Sequence, residues 1–266
     1  MGRFDGILLC SDIDGTLTYN GKFDEVFEKN KSAIRYFTDN GGKFTLITGR
    51  YKSFITKNNL TSVINAPAGI FNGAAVYDYK NDKLLSLTRI NHTLCELISA
   101  ADKMKEYIVR INPVIDMYTA DTDTADELVK EDTLQRHPIK VIYVFDTPEH
   151  AVEFEKYLSE ADEFSDCFVS RSWHVGVEIQ NAAATKGHAA RRIKKLTGAH
   201  TLITIGDFEN DIPMLKLADI GAAVGSAPYY VKAAADIVVK PCCDGAVSDI
   251  IQRIEKSLCR HSTVTL

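Results

Sequence analysis

The chain has 266 residues, 45% hydrophobic and 25% charged, with 31 Lys and Arg against 36 Asp and Glu for a formal charge of −5. That length can bury one full core or two modest ones, and the mixture is that of an ordinary globular protein rather than a disordered, fibrous or disulfide-stapled one. The acidity argues against non-specific nucleic-acid binding, which needs a basic face; no apolar run approaches about 18 residues, so no transmembrane helix is expected; and the first residues lack a secretory-signal pattern, which makes the cytoplasm the expected compartment.

In chain order, 4–11 reads as a buried strand and 24–40 as an amphipathic helix, with Val26, Phe27, Ala33, Ile34 and Phe37 recurring near helical spacing. Gly41-Gly42 stops that helix, 43–47 is the next strand, and 70–78 predicts a strand or hairpin around Asn72-Gly73. Helix-like runs follow at 94–105 and 149–158, with strands at 141–145 and 175–179. The last third predicts helix 186–196, strand 201–205, helix 211–217, strand 221–224, a helix from about 228, strand 237–239 and a closing helix over 245–258, then a frayed tail. Six cysteines, none in a C-x-x-C pair, are expected as reduced structural thiols; the vicinal pair Cys242-Cys243 lacks the ligand neighbours a zinc site needs.

Alternation of short apolar strands with helices implies a doubly wound, largely parallel α/β sheet covered on both faces. The middle of the chain breaks that grammar. Between 81 and 184 there are twenty acidic and ten basic side chains, a charge of about −10, which leaves the remainder near +5. This break predicts an inserted smaller α/β domain over 81–184 on a core made of 1–80 and 185–266.

Polar residues follow the apolar strands at Asp12 and Asp14, at Thr48, and at Asp207 with Asn210 and Asp211, while Lys186 opens a helix. Open α/β sheets bind ligands beyond the carboxyl ends of their strands, so clusters far apart in sequence are expected to converge there. Asp12, Asp14 and Asp207 offer the hard oxygen ligands that suit Mg²⁺ together with a substrate phosphate. Lys186 and Thr48 add a cation and a hydroxyl, and the carboxylates need such cations to tolerate each other and a phosphate. The inventory fits phosphoryl transfer, with Asp12 as nucleophile and Asp14 as proton donor and acceptor.

These residues stand in four ordered motifs: Asp12-Ile13-Asp14-Gly15-Thr16, Thr48 in Ile47-Thr48-Gly49-Arg50, Lys186 in Thr185-Lys186-Gly187, and Gly206-Asp207-Phe208-Glu209-Asn210-Asp211. In this the chain resembles, over nearly its whole length, the haloacid dehalogenase superfamily and specifically its Cof-type (subclass IIB) phosphatases. The resemblance implies a Rossmann-like core with an inserted C2-type cap between the second and third motifs. It implies Asp12 as nucleophile, Asp14 as general acid/base that also lends its backbone carbonyl to Mg²⁺, and Asp207 as a direct metal ligand. Thr48, Gly49 and Lys186 would hold the phosphoryl group, and Asn210 and Asp211 would support the metal, its waters or Lys186. The expected partner is a small-molecule phosphate ester, with sugar phosphates the expected class. Phe208-Glu209, where many relatives carry glycine after the aspartate, and Val224-Gly225-Ser226-Ala227 depart from the family's usual wording.

Each candidate has a plainer reading. Thr48 and Asp207 could cap local backbone, and Lys186 could be a surface lysine, although a helix N-terminus disfavours a cation that has no anionic partner. Arg50 and Asn72 are weaker candidates; Glu178 and Asn181 end a strand near Lys186 and could face the cleft; Trp173 and His174 read better as packing. Two other functions compete with hydrolysis: a phosphomutase, whose cap would bind a second phosphate, and a phosphate-ligand sensor that retains the fold.

Overall fold

The computed structural model describes residues 2–117 and 133–260, so the tail expected at 261–266 lies outside the described residues. Among the described residues the chain opens with β1 (Ile7–Ser11), α1 (Glu25–Asp39), β2 (Lys43–Leu46), α2 (Lys52–Lys57), β3 (Ala68–Ile70), β4 (Ala75–Asp78) and β5 (Lys83–Leu87). The middle holds α3 (Leu94–Ala100), β6 (Ile108–Val114), β7 (Lys140–Phe145), α4 (Pro148–Glu160), β8 (Cys167–Trp173) and β9 (Gly176–Asn181). The last third runs α5 (Lys186–Thr197), β10 (Thr201–Gly206), α6 (Ile212–Leu217), β11 (Ile220–Ala223), α7 (Tyr229–Lys232), β12 (Ile237–Val238) and α8 (Ala246–Arg260).

The central sheet has the order β12-β11-β10-β1-β2 and is parallel throughout. β1 is buried along its whole length. Ile7 and Leu9 join the core that also holds Phe37, Ile250 and Ile254, whereas Leu8 and Cys10 join the core of Ala189, Ile193 and Met214. Successive side chains thus serve opposite faces, as a doubly covered strand requires. The chain moves from β1 to β2 in one direction and from β10 to β12 in the other, which puts the switch in winding beside β1.

Local chemistry sets the helices around this sheet. Asp24 caps α1 by accepting from the Val26 N–H at 3.0 Å, and α1 buries Phe27, Ile34 and Phe37 on one stripe. Thr185 caps α5, which ends at Gly198 in the left-handed region. A parallel bridge between Ile47 and Gly69 leads from the central sheet to the antiparallel set β3-β4-β5. β5 pairs with β4, so hydrogen bonding continues from the first sheet across the boundary expected at residue 80.

The inserted cap is a four-stranded antiparallel sheet, β6-β7-β9-β8. Its inner face, with Val141, Tyr143, Phe145, Val177 and Ile179, buries against Leu94 and Leu97 of α3 and Phe154 and Leu158 of α4. The fold is therefore the expected α/β core with an inserted α/β cap. Three local readings need correction. The first strand begins at Ile7, because the Ile7 N–H bonds Phe4 O in a turn through Gly6. The helix expected over 94–105 stops at Ala100 and tightens into a 3₁₀ segment over Asp102–Tyr107, with Met104 off helical angles. β6 and β8 were not anticipated: both are edge strands whose alternation is broken by bulges, and β6 also carries Pro113. Among the described residues no helix is long and apolar enough to cross a membrane.

Candidate active site

Asp12 follows the last residue of β1, and its N–H continues the ladder to Ile205 O at 3.1 Å. The next residues turn sharply. Gly15 takes φ +83°, and a Cβ there would lie 2.3 Å from Asp207 Oδ2, so only glycine lets the first and fourth motifs approach this closely. Thr16 then donates its hydroxyl to Asp207 Oδ1 at 2.7 Å. On the other side of β10, Gly206 leaves room for Asp211, whose Cγ would be 2.4 Å from a Cβ at that position. Asp211 Oδ2 accepts from the N–H groups of Asp207 and Phe208 at 2.8 and 3.1 Å, which fixes the turn.

Lys186 lies at the first position of α5 with its side chain buried, and its Nζ is 2.7 Å from both Asp12 Oδ1 and Asp211 Oδ1. Burial alone would lower the Lys186 pKa, but Asp12 and Asp211 override it and hold the ammonium above its ordinary value. Asp12 is pushed well above the usual carboxylate range by burial, with Lys186 opposing and Asp211, Asp207 and Asp14 adding to the shift. Asp207 is raised to about 7, again by burial first and then by Asp211.

Carboxylate oxygens of Asp12, Asp207 and Asp211 all lie within 4.8 Å of one another. Lys186 is paired to Asp12 and Asp211; among the described residues Asp207 has the Thr16 hydroxyl and no ion pair. A cluster of hard oxygens that is short of positive charge fits a divalent cation of the Mg²⁺ kind. The Asp14 carboxylate is outside that cluster. Arg50 grips it through both Nε and Nη2 at 2.9 Å, so any share Asp14 takes in a metal site falls to its main-chain carbonyl.

Asp12, Asp14, Thr48, Gly49, Asp207 and Asn210 all line one cavity of about 590 Å³ between the sheet edge and the cap. Thr48 is buried, and its Oγ1 accepts the Arg50 N–H at 3.2 Å, which leaves the hydroxyl proton to donate. The Gly49 carbonyl accepts from Lys140 Nζ at 3.1 Å. The Asn210 amide donates to Asn72 Oδ1 at 3.1 Å and to Ser172 Oγ at 3.2 Å, so its contacts run to the second-motif side and to the cap. Lys186 and Asp211 stand behind the wall rather than on it.

Several weaker candidates are part of this site. Arg50 is the partner of Asp14. Asn72 sits in a left-handed turn with φ 56°, donates its amide to Glu178, and through its main-chain N–H binds Thr48 O at 2.8 Å. Glu178 also accepts from Lys140 Nζ at 3.0 Å, a buried pair on the cap face opposite the Tyr143 core. Trp173 and His174, read as packing, line the cavity. Asn181 does not line it: its amide donates to Arg89 O, and its oxygen caps Ala183. Lys140, Asn112 and Ser172 were missed. The one signal for Lys140 was parity, since Lys140 and Ile142 alternate with buried Val141 and Tyr143 on β7.

The family model described as haloacid dehalogenase-like hydrolase matches residues 9–251, and the chain belongs to that family. Its fold is that of subclass IIB. It superposes with a TM-score of 0.72 at 20% identity on a structure described as the HAD subclass IIB sugar phosphatase BT4131, covering 92% of this chain and 97% of that one. A HAD/COF-like hydrolase from Plasmodium vivax gives a TM-score of 0.76 at 24% identity over 94% and 95% of the two chains. Among curated proteins, the pyridoxal phosphate phosphatase YbhA of Escherichia coli is 22% identical over 257 residues, 87% of this chain and 92% of its own. A protein of Haemophilus influenzae named as a phosphatase is 34% identical over 110 residues, but the match spans only 41% of either chain.

Proposed function

We propose that the chain is a Mg²⁺-dependent phosphatase of small phosphomonoesters that passes through a phospho-aspartate at Asp12. The observation that carries this reading is the position of Lys186 Nζ, 2.7 Å from Asp12 Oδ1, behind the wall of a cavity that Asp12, Thr48 and Asp207 line. Asp12 and Asp207, with the Asp14 carbonyl, would hold the metal ion, which when bound supplies charge neutralisation for the phosphoryl oxygens and for the carboxylates around them.

Lys186 opposes the effect of burial on Asp12 and orients one of its carboxylate oxygens. The other oxygen attacks phosphorus; the ester P–O bond breaks, and Asp14 gives its proton to the departing alkoxide. Thr48 donates its hydroxyl to a phosphoryl oxygen. In the second half Asp14 takes a proton from water, which attacks the phosphorus of the acyl phosphate; inorganic phosphate leaves and the Asp12 carboxylate is restored. Arg50 positions Asp14 between these steps. The expected bounds of core and cap, refined to keep 83–87 with β4, give this chemistry to the core and the choice of leaving group to the cap. A cavity of about 590 Å³ suits a small molecule, and the Lys140–Glu178 pair suits a hydroxyl-bearing leaving group such as a sugar. The names of BT4131 and YbhA make sugar phosphates and pyridoxal phosphate the first compounds to try.

Phosphate release across sugar, nucleotide and cofactor phosphates, with Mg²⁺ and with chelator, tests this reading. Release that needs Mg²⁺ is expected; release unaffected by chelator, or none across the set, counts against it.

A further inference from the structure

The end of β8 meets the fourth-motif turn residue by residue. Arg171 lays its guanidinium on Glu209: Nε donates to Oε2 at 3.0 Å, Nη2 donates to Oε1, and the Arg171 main-chain N–H reaches Oε2 at 3.3 Å. Ser172 Oγ accepts from Asn210, and the His174 ring meets Phe208 edge-on with centroids 5.8 Å apart. Both charged side chains are largely shielded, 15% exposed for Arg171 and 14% for Glu209. From behind, Glu155 of α4 holds Arg171 at 2.9 Å.

Glu209 lies midway between Asp207, the carboxylate of the cluster that has no ion pair among the described residues, and Asp211, the anchor of Lys186. The turn is therefore fixed at one end by Asp211 and gripped in the middle by the cap. Arg171 itself does not line the cavity, so it has no direct hold on a ligand there. A bidentate arginine–carboxylate pair is directional as well as strong.

We propose that Arg171 is a positioning residue for the metal loop: docking of the cap, through Arg171 and Glu209, sets the orientation of Asp207, so that the metal site is complete only with the cap in place. The proposal rests on the phosphatase reading for the identity of the ion, and it concerns residues that the reaction itself does not touch.

Calorimetric titration of Mg²⁺ into the full chain, without substrate, tests it. R171A and E209Q should each bind Mg²⁺ about 10-fold more weakly than wild type, the low end of what outer support of a metal ligand contributes. R171K should recover part of the loss, and E155Q, which leaves the Arg171–Glu209 grip intact, should stay within about twofold of wild type. In turnover, R171A should lose kcat with KM nearly unchanged, because Arg171 is off the cavity wall. Should R171A lose its cooperative melting transition, E209Q and R171K carry the same readout. Wild-type Mg²⁺ affinity in both R171A and E209Q overturns the proposal. Calorimetry needs no turnover, so weakened Mg²⁺ binding in a chain that hydrolyses no phosphate ester would sink the phosphatase reading and still support the coupling.

Discussion

Lys186 Nζ lies 2.7 Å from Asp12 Oδ1 although 174 residues separate them, and the same ammonium is 2.7 Å from Asp211 Oδ1. All three residues are buried. Removing the cation leaves two carboxylates facing each other in a poorly hydrated site, and breaking a buried pair from one side costs about 3–5 kcal/mol. Lys186→Met is expected to lose stability on that scale in chemical denaturation, together with all phosphate release. A loss below about 1 kcal/mol would mean that the charges are better solvated than their burial implies.

Arg50 makes a second long-range contact, a two-point grip on Asp14. Lysine cannot reproduce the fork, so Arg50→Lys should let Asp14 wander and lower kcat about 10–100-fold. The pair is about two-fifths exposed, 43% for Arg50 and 39% for Asp14. Its effect on stability should therefore stay within about 1 kcal/mol. An unchanged kcat in Arg50→Lys would remove Arg50 from the account.

Mg²⁺ should stabilise the wild-type chain against heat by mass action, by about 2.7 kcal/mol at 100 times its dissociation constant. Asp207→Asn removes a carboxylate that has no cation of its own among the described residues, and should abolish most of that shift. Thermal melts with Mg²⁺ or chelator read both. An equal shift in the two proteins would place the ion elsewhere.

The cap has its own pH signature. Glu155 is raised to about 7, mainly by burial and next by Glu209, against an ordinary 4.5. A raised carboxyl binds its proton more tightly when folded, so its contribution is fully present below about 4.5 and is lost as pH climbs to about 7. Glu155→Gln does not titrate. Relative to wild type it should gain about 1–3 kcal/mol between pH 4.5 and 7 and then level off, a range that allows for the partial exposure of Glu155. Urea unfolding at pH 5 and pH 8 checks the sign; a gain that grows toward acid would contradict it.

The core was legible because strands buried on both faces spell continuous apolar runs, as Ile7–Ser11 does, and because the fold carries Asp12 and Thr48 to strand ends as Asp207 follows β10. What was not legible lies in pairings that no local pattern encodes. Arg50 reads as a solvated helix-start residue until Asp14, 36 positions away, is seen beside it. Lys140 is one lysine at the head of a strand, and its partner Glu178 is 38 residues on. Asn181 fits the cleft by sequence position, but its side chain is committed to Arg89 O and Ala183 N. Edge strands β6 and β8 were hidden by bulges that break the period-two pattern.

The central claim is that the phosphoryl group passes through Asp12. A single turnover with the best phosphate ester of the panel and Mg²⁺, quenched in acid and digested for mass spectrometry, tests it most directly. One phosphoryl group is expected on the peptide that contains Asp12, with none in Asp12→Asn and no phosphate release from that variant. Release that continues in Asp12→Asn, or wild-type turnover with an unmodified Asp12 peptide at every quench time, would contradict the mechanism.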